Sequence, residues 1–508
     1  MTFLELLDGV EILSQSGDSK GKSEIGGVQY DSRKIKRGDV FLAMRGESSD
    51  GNKFVDRVIE AGAVAIVTDS ATERPRENVA WVQVPHGRRA LARLSANFFE
   101  HPAKKLAITG ITGTNGKSTT AFLLESILAA GGRDAALIGT IEYHVGGNVL
   151  PAPHTTPEAL ELNSIFADAA KSDASEVVME VSSHALAQQR IYGISFDTSV
   201  FTNLTRDHLD YHGTMDEYFA AKQVLFSGCG ADPPRVSVIN IEDQYGQALV
   251  EVAWSRGSRI ITYGLAGGDF HAEKVDVSVK GTRFDLITPD GVISLSSQLI
   301  GRVNVYNIVA AAAAAHARSA PREAIALGVA NLRRVPGRFE RVDCGQPFAV
   351  VIDYAHTDDA LRNLTSLARE FAGQEKGRVI TVFGCGGDRD RAKRPLMAEA
   401  IAQNSDLVIL TSDNPRSEDP LAIMNDAVVG LQRCNANYKM EPDRTRAISL
   451  AVRDARPHDI VLIAGKGHEK IQITRQGPIP FDDVEAAREC LRTLGYACEN
   501  ANAARNNS

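Results

Sequence analysis

Six consecutive residues, Gly113-Thr114-Asn115-Gly116-Lys117-Ser118, have the composition of a phosphate cradle. Glycines let backbone N–H groups turn toward an anion, a lysine meets terminal phosphates, and a serine hydroxyl suits Mg²⁺. The general GxxxxGK[ST] pattern wants glycine where this chain has Ile111; the glycine stands at 113 instead. ATP binding is the expectation, against a glycine-rich turn with a chance GKS. Glu180 closes the apolar run VVME. A carboxylate there could bind Mg²⁺ opposite Ser118, or be a polar strand end. TNLTRDHLDYHG gathers Asp207, His208, Asp210 and His212, suited to metal ligation or to hydrogen bonding within a loop. Lys222 sits among apolar residues in FAAKQVLF, where a solvated helix lysine is the default. Asp413-Asn414-Pro415-Arg416 ends the apolar, strand-like run that begins DLVIL. A plain turn uses the acid, amide and proline but has no need of the arginine. A site for a small zwitterion would use all four.

These residues need rigid elements to hold them. Apolar runs alternate with helical patterns from residue 106 onward: LAIT before the glycine loop and TTAFLLESILAA after it, then EVVMEV, TSVFTNL, VSVIN and RIITYG. Such alternation implies a largely parallel, helix-covered sheet. NVYNIVAAAAAAHARSA reads as an alanine-rich helix able to pack closely. HPAKK (101–105) is a linker candidate, and RRVPGRFERV (333–342) marks a second boundary. Beyond it, VVIDYAH, VITVFGCGGDRD, LVILTSDNPR and VLIAGKGHE are buried strands that each run into polar loops. In open α/β sheets ligands sit at the carboxyl ends of strands, so these four tips mark a site. The tail ENANAARNNS reads as disordered.

At 508 residues, one core is too few. A net charge of −8 without a basic block argues against nucleic acid. No apolar run approaches the roughly 18 residues of a membrane span, and the start lacks a secretory signal. Six cysteines without a CxxC pair suggest a reduced, cytoplasmic chain.

Taken together, YDSRKIKRGDVFLAMRGESSDG, TGTNGKST, HTTPE, MEVSSHALAQQR, FTNLTRDHLDYHG, AAKQVLF, GRVNVYN, PGRFE, DYAHTDDAL, FGCGGDRDRAKRP, DNPR and AGKGHE resemble the Mur ligase family over nearly the whole chain. The family's TGTNGK loop accounts for Ile111. The resemblance implies an α/β fold in three domains. Residues 1–102 would bind a uridine nucleotide, 103–336 would be a P-loop-type ATPase domain, and 337–508 a Rossmann-like amino-acid domain. It implies ATP-dependent ligation of meso-2,6-diaminopimelate to UDP-N-acetylmuramoyl-L-alanyl-D-glutamate through an acyl phosphate, by a monomer.

By residue, the resemblance implies that Gly113 to Thr119, Asn307, Arg338 and His356 hold ATP. Tyr30, Ser32, Glu47, Ser48 and Ser49 would hold the uridine nucleotide. His154, Thr155, Thr156, Ser182, Gln188 and Arg190 would hold the muramoyl-dipeptide. Ser118, Glu180, His208 and Lys222, the last as a carbamate, would bind Mg²⁺, and Lys117, Lys222, His208 and Glu180 would be catalytic. Arg389, Asp413, Asn414, Pro415, Arg416, Gly465 and Glu469 would receive diaminopimelate. A lysine-adding sister ligase and a folate-polyglutamate ligase are the near alternatives. DNPR argues against the first and the N-terminal match against the second. A nucleotide-binding module that does not ligate would need the glycine loop but not the late loops.

Overall fold

The apolar runs become strands because burial on both faces suits β-type residues in a helix-covered parallel sheet. A computed structural model describes residues 1–16, 24–46, 49–76, 79–278 and 281–498. The first sheet has five strands in the order Ser14–Ser16, Ala80–Gln83, Ala65–Thr68, Asp39–Ala43, Gly27–Gln29. The first of these is antiparallel to its neighbour and the rest are parallel. All five residues of DVFLA are buried.

An eight-stranded sheet follows, in the order Arg259–Tyr263, Val236–Asn240, Thr198–Phe201, Ala107–Thr112, Glu176–Glu180, Ala135–Ile138, Glu142–Val145, Asn148–Pro151. Its first six strands are parallel and the last two form antiparallel pairs. The alanine run becomes helix Arg302–Ala317. Ala310 to Ala315 are wholly buried, packed with Ile127 and Leu128 of helix Lys117–Ala130. Small side chains let these two helices approach closely, which fixes the helix that begins at the glycine loop. Three antiparallel strands, His271–Ser278, Gly281–Thr288 and Gly291–Ser297, form a separate small sheet.

The last large sheet runs Glu340–Val342, Ala349–Asp353, Ile460–Ala464, Val379–Phe383, Leu407–Leu410, Tyr438–Met440. Its four central strands are the four runs singled out in the sequence. They are mutually parallel, so their polar tips share one edge. A hairpin, Ile471–Thr474 with Gly477–Pro480, follows.

Two expectations change. Cys344 and Cys498, 154 residues apart, form a disulfide, so the all-reduced reading fails. A search for local CxxC spacing is blind to it. Cys344 follows strand Glu340–Val342 and Cys498 follows helix Asp483–Thr493, and these two elements pack together. The HPAKK segment is more ordered than a bare linker, with a 3₁₀ turn at Pro102–Lys105. The tail 499–508 lies outside the described residues. Among those described, no helix is long and apolar enough to cross a membrane.

Candidate active site

The glycine loop leaves strand Ala107–Thr112 and enters helix Lys117–Ala130 without a side-chain cap. Gly116 takes the cap position at φ 89°, so the first helical N–H groups face outward toward any anion. A side chain at Gly113 would collide with Thr202 Oγ1, and one at Gly116 with Asn307 Oδ1. The structure thus seats Asn307, from helix Arg302–Ala317, directly against the loop. The segment after strand Thr198–Phe201 braces it. Thr114 N donates to Asn203 O (2.8 Å) and Asn115 N to Asn203 Oδ1 (2.9 Å). Lys117 Nζ folds back onto Gly113 O (2.9 Å) and Thr114 O (2.8 Å). Thr119 is buried in the first helical turn. Arg338 Nη2 donates to Ser118 Oγ (3.3 Å), while its buried Nε has no partner. That orphaned donor beside the loop fits an oxygen-rich ligand.

Lys222 lies under the same loop, and the solvated-helix reading fails. It is 1% exposed and its Nζ donates to Gly113 O at 2.9 Å. Burial, then the neighbouring Lys117 cation, push its proton affinity well below the usual lysine range, against an opposing pull from Asp207. Glu180 is buried at its strand tip, in register with Ile111 on the adjacent strand. Thr140 holds both its oxygens, from the backbone N (2.8 Å) and Oγ1 (2.9 Å).

The four polar residues of TRDHLDYHG do different things. Asp207 accepts from Lys393 Nζ (2.8 Å), and His212 Nε2 meets Ser183 Oγ (2.9 Å). Asp210 is exposed. His208 is left-handed at φ 53°, and burial foremost pulls its value down to about 3, against Asp207, which leaves the ring neutral. Among the described residues, no three or more His, Cys, Asp or Glu side chains group to hold a metal.

Across from these, the tips of the four late strands enclose a cavity of about 170 Å³. Arg389, Asp413, Asn414, Arg416, Gly465 and Glu469 line one side, and Asp207, His208 and His356 the other. His356 Nδ1 lies 2.9 Å from Tyr354 O, which directs Nε2 away from that carbonyl. Arg416, left-handed at φ 52°, donates from Nη1 to Gly387 O (2.7 Å). A side chain at Gly387 would run into Pro415 O, so the two loops can meet only around glycine. Pro415 lines a different cavity, of about 660 Å³, behind the loop. It shapes the loop without facing the smaller pocket.

The residues expected to hold the nucleotide-peptide gather in part. Thr156 Oγ1 donates to Glu180 O (2.8 Å) and accepts from Ser182 N (3.0 Å). Thr155 Oγ1 lies 3.0 Å from Thr140 Oγ1, and His154 O accepts from Tyr143 OH. Arg190 reaches Thr156 O (2.8 Å), Gln188 Oε1 (2.7 Å) and Glu158 (3.0 Å). Tyr30 OH contacts Glu161 at 3.1 Å, joining the first sheet to this group. No hydrogen bond among the described residues ties Ser32 or Ser49 to it. Glu47 and Ser48 lie outside the described residues. Sequence reasoning missed Thr140, Glu158 and Lys393, which hold the expected residues in place. Only their position inside the motifs HTTPE and DRDRAKRP could have pointed to the last two.

Three family profiles tile the chain. They are described as "Mur ligase family, catalytic domain" (residues 24–99), "Mur ligase middle domain" (111–315) and "Mur ligase, glutamate ligase domain" (337–467). The chain belongs to the Mur ligase family. This Mur ligase is 51% identical over 497 residues to a Solibacter usitatus protein named UDP-N-acetylmuramoyl-L-alanyl-D-glutamate--2,6-diaminopimelate ligase, covering 98% of this chain and 99% of that one. A Listeria monocytogenes protein of the same name is 41% identical, over 98% and 100%. A solved structure of a ligase of that name superposes with TM-score 0.67 at 32% identity, covering 98% of this chain and 100% of that one. The fold also matches a Thermotoga maritima MurF ligase solved with ADP, at TM-score 0.63 and 18% identity, over 92% and 97%.

Proposed function

We infer that this chain is an ATP-dependent ligase that joins meso-2,6-diaminopimelate to the D-glutamate of UDP-N-acetylmuramoyl-L-alanyl-D-glutamate, in peptidoglycan precursor synthesis. The observation that carries this is the small cavity in which Asp413, Asn414, Arg416, Arg389 and Glu469 share a lining with Asp207 and His208, a segment tied to the glycine loop by Thr205 N donating to Thr114 Oγ1 (3.0 Å). An amine acceptor and a phosphate donor can meet there.

The chemistry follows from the electrophile. A carboxylate is a poor one, so its oxygen first attacks the terminal phosphorus of ATP and ADP leaves. The diaminopimelate amine then attacks the acyl carbon, phosphate departs, and the nitrogen loses a proton. Residues Gly113 to Thr119, Asn307, Arg338 and His356 hold ATP, with Lys117 swinging from its carbonyl partners onto the phosphates. The nucleotide-peptide lies along Tyr30, Ser32 and Ser49, then His154 to Thr156, Ser182, Gln188 and Arg190. Ser118 and Glu180 are oxygen donors that fit Mg²⁺, and the neutral His208 ring would complete the proposed set. Bound there, Mg²⁺ would neutralise charge on the transferred phosphoryl group. Lys222 fits as a further ligand because its burial, with the Lys117 cation beside it, shifts its amine toward the neutral form. Its nitrogen can attack CO₂ and lose a proton, giving an anionic oxygen donor.

We place the domains at 1–102, 103–336 and 337–508, in a cytoplasmic monomer. The deciding experiment is ADP release, measured with the nucleotide-peptide and diaminopimelate each present or absent. Sustained turnover that requires both supports ligation. Turnover with neither identifies a nucleotide hydrolase instead.

A further inference from the structure

Lys466 is wholly buried, yet its ammonium ends on three residues of the amine pocket. Nζ donates to Asn414 Oδ1 (2.9 Å) and Glu469 Oε2 (2.8 Å), and reaches Asp413 Oδ1 at 3.3 Å. These partners use its three donors. Asn414 Oδ1 also accepts from Ile473 N (2.9 Å), which turns the amide Nδ2 onto Glu469 Oε2 (3.0 Å). The network therefore closes on itself from behind the pocket. Among the described residues, Asp413 Oδ2 and Glu469 Oε1 accept no hydrogen bond from the protein. The two carboxylates thus each spend one oxygen on Lys466 and keep one in reserve.

We propose that Lys466 is a positioning residue that sets which amino acid the pocket accepts. It rests on the reading of this pocket as the diaminopimelate site. Lys466 cancels one of the two carboxylate charges and fixes Asp413, Asn414 and Glu469 in one arrangement. Arg389 and Arg416 are then free to meet the distal carboxylate, while the reserved oxygens meet an ammonium. Without Lys466 the pocket carries one more negative charge and its acceptors lose their common anchor. An amino acid with a distal ammonium and no carboxylate gains from that change, whereas a zwitterionic distal end loses.

The test measures kcat and KM of Lys466→Met with meso-diaminopimelate and with L-lysine, beside Arg416→Ala. The inference expects KM for diaminopimelate to rise about 10- to 100-fold, the loss of one charge-assisted contact. It expects a smaller change in kcat, and a preference over lysine that narrows by a similar factor. A purely structural lysine would lower use of both amino acids equally, and that result overturns the inference. If Arg416→Ala narrows the preference and Lys466→Met does not, the inference fails and the pocket reading stands. If neither narrows it, the pocket reading fails as well. Should Lys466→Met not fold, Lys466→Gln gives the same readout. If that variant also fails to fold, Lys466 serves folding rather than specificity, and the inference is overturned.

Discussion

Lys117 and Lys222 share the Gly113 carbonyl, but they do different work. On the proposed function the transferred phosphate lies at the helix start beside Lys117, so Lys117→Ala should slow ligation by about 10²- to 10³-fold. Its melting temperature should change little, since the lysine's partners are backbone carbonyls. A folded Lys117→Ala variant with near-normal ADP release would rule out this loop as the phosphate site. Lys222→Ala should lose most activity through its missing anionic ligand, with partial rescue by added short carboxylates. Full activity of Lys222→Arg would sink the carbamate, because a guanidinium supplies no oxygen. The glycine loop was legible as a turn between strand and helix, and DNPR as a polar strand tip, because each follows an apolar run. The burial of Lys222 and Lys466 was not legible. A lysine among small and apolar neighbours reads the same whether its helix face turns in or out, and only tertiary packing decides.

At the scale of elements, the parallel strands were readable as apolar runs because burial on both faces leaves little polar alternation. The antiparallel hairpin Glu142–Val145 with Asn148–Pro151 was not, as its outer strand is exposed throughout and short. His144 fastens this hairpin to helix Lys117–Ala130, contacting Glu125 Oε1 (2.6 Å) and Glu142 Oε1 (3.1 Å). Burial pulls its value down, but the two carboxylates outweigh that and raise it to about 9. A histidine raised in the folded state stabilises fully below its unfolded value of about 6.5, and that contribution fades as pH rises through about 9. His144→Gln should therefore cost about 1 kcal/mol at pH 6 and nearly nothing above pH 10. Thermal melts of both proteins across this range check it; an equal cost at both ends would contradict the ion-paired reading. The disulfide escaped sequence reasoning for a related reason. Its partners are brought together by packing of helix Asp483–Thr493 on an edge strand, which no local spacing encodes.

Across the whole molecule, the central and final parts of the chain meet at two ion pairs, Asp207 with Lys393 (2.8 Å) and Arg206 with Asp390 (3.1 Å), and a hydrogen bond from Asn115 to Asp359 (3.1 Å). The three-part division was legible from two breaks, HPAKK and the Pro- and Gly-bearing RRVPGRFERV, but these joints were not, since each spans more than 180 residues. Lys393→Ala leaves a buried carboxylate unpaired across the joint, a change costing about 3–5 kcal/mol where both partners are desolvated. It should loosen the docking of the two halves, seen as a larger radius of gyration by small-angle scattering, and should slow ligation at least tenfold, about 1.4 kcal/mol of barrier. Unchanged scattering and rate would show that the joint plays no part in bringing amine and acyl phosphate together. On the proposed function, the four late strand tips form a pocket for an amino acid with a distal carboxylate. The most direct test of this is kcat/KM of the unmodified protein with meso-diaminopimelate and L-lysine, since a site built around a polar partner rejects analogues lacking it by roughly 10⁴-fold. A preference for diaminopimelate of that order is the expected result, and comparable values for the two amino acids would contradict the account.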